Sequence, residues 1–393
     1  MKKERLWTGT FSVNMTLNFI FYLVFYIPTI AMGTYAMKNL HASAGIAGIL
    51  TGIFIVGGFL ARLWTGNNIK RLGIKRMLYI GTAIFLIFGI AYYFVNNAAL
   101  LLVVRFLHGI GFGISATASG TLAGAIVPMS RRGEGIGYFA LSTTVASAIG
   151  PFLSMFLYGQ YGFTILANLS NILLLFAFLG IFFIRVSENS SAIVHKDLSK
   201  KKFLISNYFE EKALPISILG LLVGIAYSSV LTFMDSYASF IHLATAGSFF
   251  FLAMALTVLV SRPLTGRLFD SKGDHYVMYP TFLLFAVGLA LIGFAHNPFV
   301  LILSAVFMGL GYGSFAPFGQ AIAIREAADQ RLGVATSTFF GFLDLGVGLG
   351  PFIIGSLLPL VGYRNLYYTS ALMAVIIAVL YYLMLGRKKD ADF

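Results

Sequence analysis

The chain reads as a series of long, continuous apolar runs separated by short polar breaks. Twelve runs come near the roughly 20 residues that an α-helix needs to cross a bilayer. They cover about 10–33, 44–65, 75–95, 98–125, 135–158, 163–185, 214–238, 246–268, 276–295, 298–322, 333–357 and 364–386. Apolar positions within them are contiguous rather than alternating, and the runs are too long for barrel strands, so each predicts a helix. One break is much longer than the others. Residues 187–213 open with Ser-Glu-Asn-Ser-Ser and run on through Lys200, Lys201 and Lys202. They predict a cytoplasmic linker between two six-helix bundles, 1–186 and 214–393. Phe203, Leu204, Ile205, Tyr208 and Phe209 give the later part of that linker the character of a short interfacial turn.

The two halves repeat. Arg62, Thr65, Gly66 and Gly73 recur 200 residues later as Arg262, Thr265, Gly266 and Gly273. The same offset carries Gly109, Gly111 and Gly113 onto Gly309, Gly311 and Gly313. It carries Arg131 and Gly133 onto Arg331 and Gly333, and Gly150-Pro151 onto Gly350-Pro351. Four matches in one register mark a duplicated half.

Composition fixes the solvent. Hydrophobic residues make up 59% of the 393 and charged residues 10%, with a mean hydropathy of +0.88. A soluble fold of this size cannot hide so much apolar surface, so the chain is predicted to be an all-α integral membrane protein. The formal charge of +13 does not indicate nucleic acid, because Lys and Arg fall in short loops rather than along a polar face. Placing the N-terminus in the cytoplasm puts Lys2, Lys3, Arg5, Lys70, Arg71, Lys75, Arg76, Arg131, Arg132, Lys272, Arg331, Arg387, Lys388 and Lys389 inside, with the linker lysines. Lys38 and Arg364 remain outside, which predicts cytoplasmic termini. The first apolar run is too long for a signal peptide and reads as a spanning helix. With no cysteine, disulfides and thiolate chemistry are excluded. The six histidines are scattered rather than clustered near one face, which argues against a membrane enzyme.

Three motifs give the chain its resemblance to the major facilitator superfamily. The first is Gly66, Arg71, Gly73, Lys75 and Arg76 after the second apolar run. It resembles the family's Gly-x-x-x-Asp-Arg-x-Gly-Arg-Lys, with Lys70 where the family has Asp. The second copy, with Gly266 and Gly273, keeps the acid as Asp270. The resemblance implies a gate in which this acid caps a neighbouring helix, a contact that suits a carboxylate and opposes a lysine. As basic loops, both also read as positive-inside anchors. The second motif, Arg105-Phe-Leu-His108-Gly-Ile-Gly111, is similar to the family's Arg-x-x-Gln-Gly-x-Gly, with His for Gln. Arg105 and His108 share a helical face, and a mid-helix arginine needs partners in the membrane. The resemblance implies proton transfer at Arg105. His108 titrates near neutral pH in an ordinary setting, and either residue also reads as structural. The third, Gly346-Val-Gly348-Leu-Gly350-Pro351 with Gly355, resembles the antiporter motif; its first copy at Gly150-Pro151 is degenerate, with Ala146 and Ser154 at glycine positions. Gly and Pro there suit a bendable helix.

The resemblance implies the family fold, twelve helices in two pseudo-symmetric six-helix bundles, with helices one, four, seven and ten lining a cavity. On that basis Asn14, Asn18, Tyr22, Tyr26, Arg105, Tyr227 and Tyr312 are candidate substrate contacts, with Tyr22 and Tyr26 expected near Arg105. Asp344, near the middle of helix eleven, joins Arg105 and His108 as a candidate for proton coupling. Asp235 reads either as an interfacial residue or as an outer-gate or cation-attracting acid, and it is a fourth candidate for proton coupling. The expected activity is secondary transport by alternating access, most similar to proton-coupled efflux of a drug or metabolite. Symport or uniport of an organic anion or zwitterion is the alternative, and a non-transporting receptor is the reading from a different class. No Gly-x-x-x-x-Gly-Lys-Ser/Thr motif is present, so the proton gradient rather than ATP is the expected energy source, with no cofactor and no metal. The expected setting is the cell membrane, with a small-molecule substrate, protons and lipid as partners, and a monomeric protein.

Overall fold

The computed structural model describes residues 5–128, 132–185, 209–327 and 332–386. Their architecture is helical throughout. The helices are α1 (Gly9–Asn39), α2 (Ala44–Leu72), α3 (Ile74–Ala91), α4 (Ala98–Ile126), α5 (Arg132–Tyr161) and α6 (Phe163–Gly180), followed by α7 (Leu214–Phe240), α8 (Ala244–Lys272), α9 (His275–Phe294) and α10 (Pro298–Glu326). A last helical run, Leu332–Tyr381, leaves helical geometry at Gly362, which has φ 75° and ψ 167°. It is therefore two helices, α11 (332–361) and α12 (363–381). Among the described residues, eleven helical runs are long and apolar enough to span a bilayer, the last of them containing both α11 and α12. The part of the linker at 187–208 lies outside the described residues, as do Arg131 and Arg331.

The basic motifs expected as loops are helical instead. The second helix runs on to Leu72 and the eighth to Lys272, so the whole of each motif before its last glycine continues the spanning helix. The turn is made by one residue, Gly73 at φ 85° and Gly273 at φ 89°. Gly162 at φ 74° does the same between α5 and α6, and Gly362 between α11 and α12. An L side chain rarely adopts this left-handed backbone, so glycine is the residue that permits so short a corner. These four glycines pair at the 200-residue offset. So do two helix caps: Asn97 accepts from the Leu100 amide at 2.8 Å, and Asn297 from the Val300 amide at 3.0 Å.

Contacts repeat in the same register. A Cβ on Gly111 would collide with the backbone of Phe85 in α3, and one on Gly311 with the backbone of Phe285 in α9. Gly109 and Gly113 lie against the Phe54 and Gly58 carbonyls of α2. Gly309 meets the Met254 carbonyl and Gly313 the Val258 side chain, both in α8. Lipid offers no hydrophobic reward for helix association, so backbones that approach closely supply the packing energy. The duplication is thus visible in what touches what.

Two compact units result. One holds α1 up to Tyr35 together with α2 from Ile53 through α6. The other holds Ala36–Gly52 together with α7–α12. In the second unit α11 is glycine-surfaced on two sides. Gly346 lies against the Leu221 carbonyl of α7, and Gly350 against Ser228. On another side the Pro351 and Gly348 carbonyls leave no room for a Cβ on Gly48 or Gly52, and Gly355 faces the Ala44 carbonyl.

Gly111→Ala and Gly311→Ala are each expected to cost about 1–3 kcal/mol through forced separation of helices. Gly120→Ala, whose Cβ would meet nothing within 4 Å, should be neutral or stabilising by up to about 1 kcal/mol. Apparent Tm in detergent checks this. Equal shifts in all three variants would exclude the glycine contacts as the source of stability.

Candidate functional site

Arg105 is fully buried in α4. Its guanidinium is held in three directions. Nη1 donates to the Tyr92 hydroxyl at 3.2 Å, and Nη2 donates to Thr29 Oγ1 at 3.2 Å. The Phe54 ring lies under the plane, with its centroid 4.6 Å from Cζ. These groups come from the turn that ends α3, from α1 and from α2. The close approach of Gly109 to the Phe54 backbone is what brings that ring within reach.

His108 lies one turn along the same face and is also fully buried. Its Nδ1 is 3.0 Å from the Tyr92 hydroxyl, so one phenol joins the arginine to the imidazole. Phe54 and Phe85 flank the ring, with centroids at 5.4 and 4.5 Å.

The polar stripe of α1 is used mainly to fasten helices. Asn14 donates to the Ser119 carbonyl at 3.0 Å and accepts from Ser119 Oγ at 2.9 Å, tying α1 to α4. Asn18 donates to Ser142 Oγ at 2.8 Å and Thr143 Oγ1 at 3.0 Å, tying α1 to α5. Tyr22 packs edge-on against Phe112, and Tyr26 against Phe25. Gly150 faces Tyr26, where a Cβ would come within 2.5 Å of the Tyr26 Cβ. Thr29, one turn beyond Tyr26, is the α1 residue that reaches Arg105. Thr29, Tyr92 and Phe54 were not singled out from sequence. An exposed-looking Tyr at a helix end and a Thr among apolar residues carry no signal until helix rotation is known.

In the second unit, Tyr227 of α7 and Tyr312 of α10 come together as predicted candidates. Their rings stack with centroids 3.6 Å apart and an interplanar angle of 8°. Asp235 is buried in the second unit, beside Tyr363, which hydrogen-bonds Ser236. Asp344 is half-buried in α11, two residues before the Gly346 contact with α7. Gly266 lines a cleft of about 70 Å³ with Arg262, Thr265, Ser314 and Pro317, between α8 and α10. Open space surrounds Gly66, and Arg71 is exposed. The side chains of Lys70 and Asp270 lie outside the described residues. An acid just past the corner is described: Asp274 is buried and pairs with Arg325 of α10 at 2.9 Å. Tyr381 of α12 donates to the same oxygen at 3.4 Å and lies 3.0 Å from His275 Nδ1. The corresponding place in the first unit is served by Lys75, which donates to the Ile184 and Phe182 carbonyls at 2.8 and 3.3 Å, closing the end of α6.

A model of the Major Facilitator Superfamily matches residues 15–282 and 244–392. The chain belongs to the major facilitator superfamily. An MFS-type transporter of Methanocaldococcus jannaschii is 23% identical over 391 residues, covering 97% of each chain. The multidrug resistance protein MdtG of Dickeya zeae is 23% identical over 397 residues, covering 98% of this chain and 95% of its own. A staphylopine export protein of Staphylococcus aureus is 24% identical over 376 residues, covering 90% and 91%. Among solved structures, the nucleoside transporter NupG superposes with TM-score 0.77 at 15% identity, covering 95% of this chain and 98% of its own. A POT family transporter in complex with a thioalcohol-conjugated peptide superposes with TM-score 0.78 at 15% identity, covering 96% of each. These superpositions show the MFS fold. The protein is thus a multi-pass membrane transporter of this superfamily and not an enzyme.

Tyr92→Phe removes the hydroxyl shared by Arg105 and His108, both buried. It should cost about 1–3 kcal/mol and lower the apparent Tm. Tyr93→Phe, on a ring 47% exposed, should cost less. Equal losses would show that the shared hydroxyl has no special weight.

Proposed function

We propose that this MFS protein is a proton-coupled exporter of a drug-like or metabolite molecule, acting as a monomer in the cell membrane with both termini in the cytoplasm. The observation that carries the reading is the place of Asp344. It is an intramembrane carboxyl in α11, the helix whose glycines meet α7 on one side and Ala44–Gly52 on another. A charge gained or lost there acts beside the closest helix contacts of the second unit.

In this reading a proton taken up at Asp344, or at Asp235, neutralises an intramembrane charge. It thereby changes the balance between outward-open and inward-open states. Substrate that favours the deprotonated form competes with the proton, and the gradient drives exchange. Arg105 and His108 set the field in the first unit, and the stacked Tyr227 and Tyr312 offer an aromatic surface to a ring-bearing substrate. No cofactor is needed. The staphylopine export relative supports an export direction, and the multidrug resistance relatives support a drug-like substrate. A second reading, symport or uniport of an organic anion or zwitterion, is favoured by the Arg105 guanidinium.

Purified protein in liposomes with an internal pH dye tests the proposal. A proton gradient is imposed, and lipophilic cations, amino-acid-like metabolites and organic anions are added in turn. One compound class should discharge the gradient through the wild type, and Asp344→Asn or Asp235→Asn should cut that rate at least tenfold. Discharge by an anion that Arg105→Ala abolishes, with both Asp variants active, supports the second reading. Binding without any proton movement overturns coupling.

A further inference from the structure

Two buried polar atoms face one notch in the first unit. His108 Nε2 and Asn171 Oδ1 are each buried without a hydrogen-bond partner. Both lie at Gly89. A Cβ built there would be 3.5 Å from His108 Nε2 and would overlap Asn171 Oδ1. The missing side chain at residue 89 is therefore what admits Asn171 Oδ1 beside His108 Nε2.

One assignment of donor and acceptor uses the Tyr92 hydroxyl in both capacities. Arg105 Nη1 donates to the Tyr92 oxygen, and the Tyr92 proton is given to His108 Nδ1. In a neutral imidazole Nδ1 is then the acceptor and Nε2 carries the proton. Asn171 uses its Nδ2 toward the Gly89 carbonyl at 3.2 Å and the Tyr93 hydroxyl at 3.4 Å, so Oδ1 is a free acceptor. A donor and an acceptor thus face the same glycine without bonding each other. A buried pair of this kind is costly unless a small molecule with both functions joins it.

We propose that His108 Nε2–H and Asn171 Oδ1 hold one water molecule against Gly89. That water joins the Thr29–Arg105–Tyr92–His108 cluster to Tyr93 and Asn168. The Tyr93 hydroxyl donates to Asn168 Oδ1, and both residues are exposed where α3 and α6 pack together. The site gives the His108 Nε2 proton a water to exchange with, beside the α3–α6 pair. The exchange is balanced: the Nε2 proton leaves to the water, one of the water's protons replaces it, and the imidazole stays neutral. The groups that face His108 are Arg105 from its own helix, Tyr92, Phe54, Phe85 and Asn171. The use of this exchange in coupling rests on the proposed function; the water site itself does not.

The test needs neither substrate nor gradient. Full-length protein with ¹⁵N-labelled histidine is placed in nanodiscs, and His108→Gln assigns the resonance by its loss. Wild type should show His108 protonated at Nε2, with that proton exchanging with bulk water. Gly89→Ala fills the notch, and Asn171→Leu removes the acceptor. Each should slow the exchange at least tenfold. If Gly89→Ala does not fold, Asn171→Leu decides. Protonation at Nδ1, or unchanged exchange in the variants that fold, overturns the site. Failure of the liposome assay alone would leave these spectra unaffected, so the two readings fail separately.

Discussion

Everything in this protein depends on helices that meet backbone to backbone. In lipid, apolar side chains gain little by leaving one apolar neighbour for another. What holds a bundle together is therefore the distance at which helices can pack. Glycines at 109, 111 and 113 let α4 approach α2 and α3, and glycines at 309, 311 and 313 let α10 approach α8 and α9. The same device, on α11, creates the contacts with α7 and with Ala44–Gly52. Side-chain hydrogen bonds then lock rotation, as Asn14 and Asn18 do for α1.

The close approach also makes the buried charge tolerable. Arg105 is four residues before Gly109, and the glycine contact draws the Phe54 ring under its guanidinium. Two hydroxyls complete the cradle. An arginine at this depth is expensive on an isolated helix. Here three neighbouring segments share the cost, and removal of one of them would be felt by the others. That coupling suits a site whose charge state is meant to influence packing.

Much of this was legible in the sequence, for physical reasons that differ from residue to residue. The twelve helices follow from the length of apolar runs. Arg105 stood out because a charge inside such a run needs an explanation, and the glycine repeats stood out because they recur in register. Partners were less legible. Thr29, Tyr92 and Phe54 hold Arg105, and nothing in the apolar pattern marks which residues of neighbouring helices will face a buried charge. The extent of the helices was also hidden: the basic residues before Gly73 and Gly273 look like loop residues by composition, but helical hydrogen bonding continues through them. His108 Nε2 and Asn171 are 63 residues apart in sequence and meet only through the absence of a side chain at Gly89.

The one-residue corners at Gly162 and Gly362 bear on how freely the paired helices can move. A single residue spans only about 3.3–3.6 Å. No length of chain is left at such a corner between one helix and the next. The pairs α5–α6 and α11–α12 are therefore hairpins whose two helices are joined without slack. Where one helix of such a pair ends, the next must begin, so neither can slide along its axis without carrying the other with it.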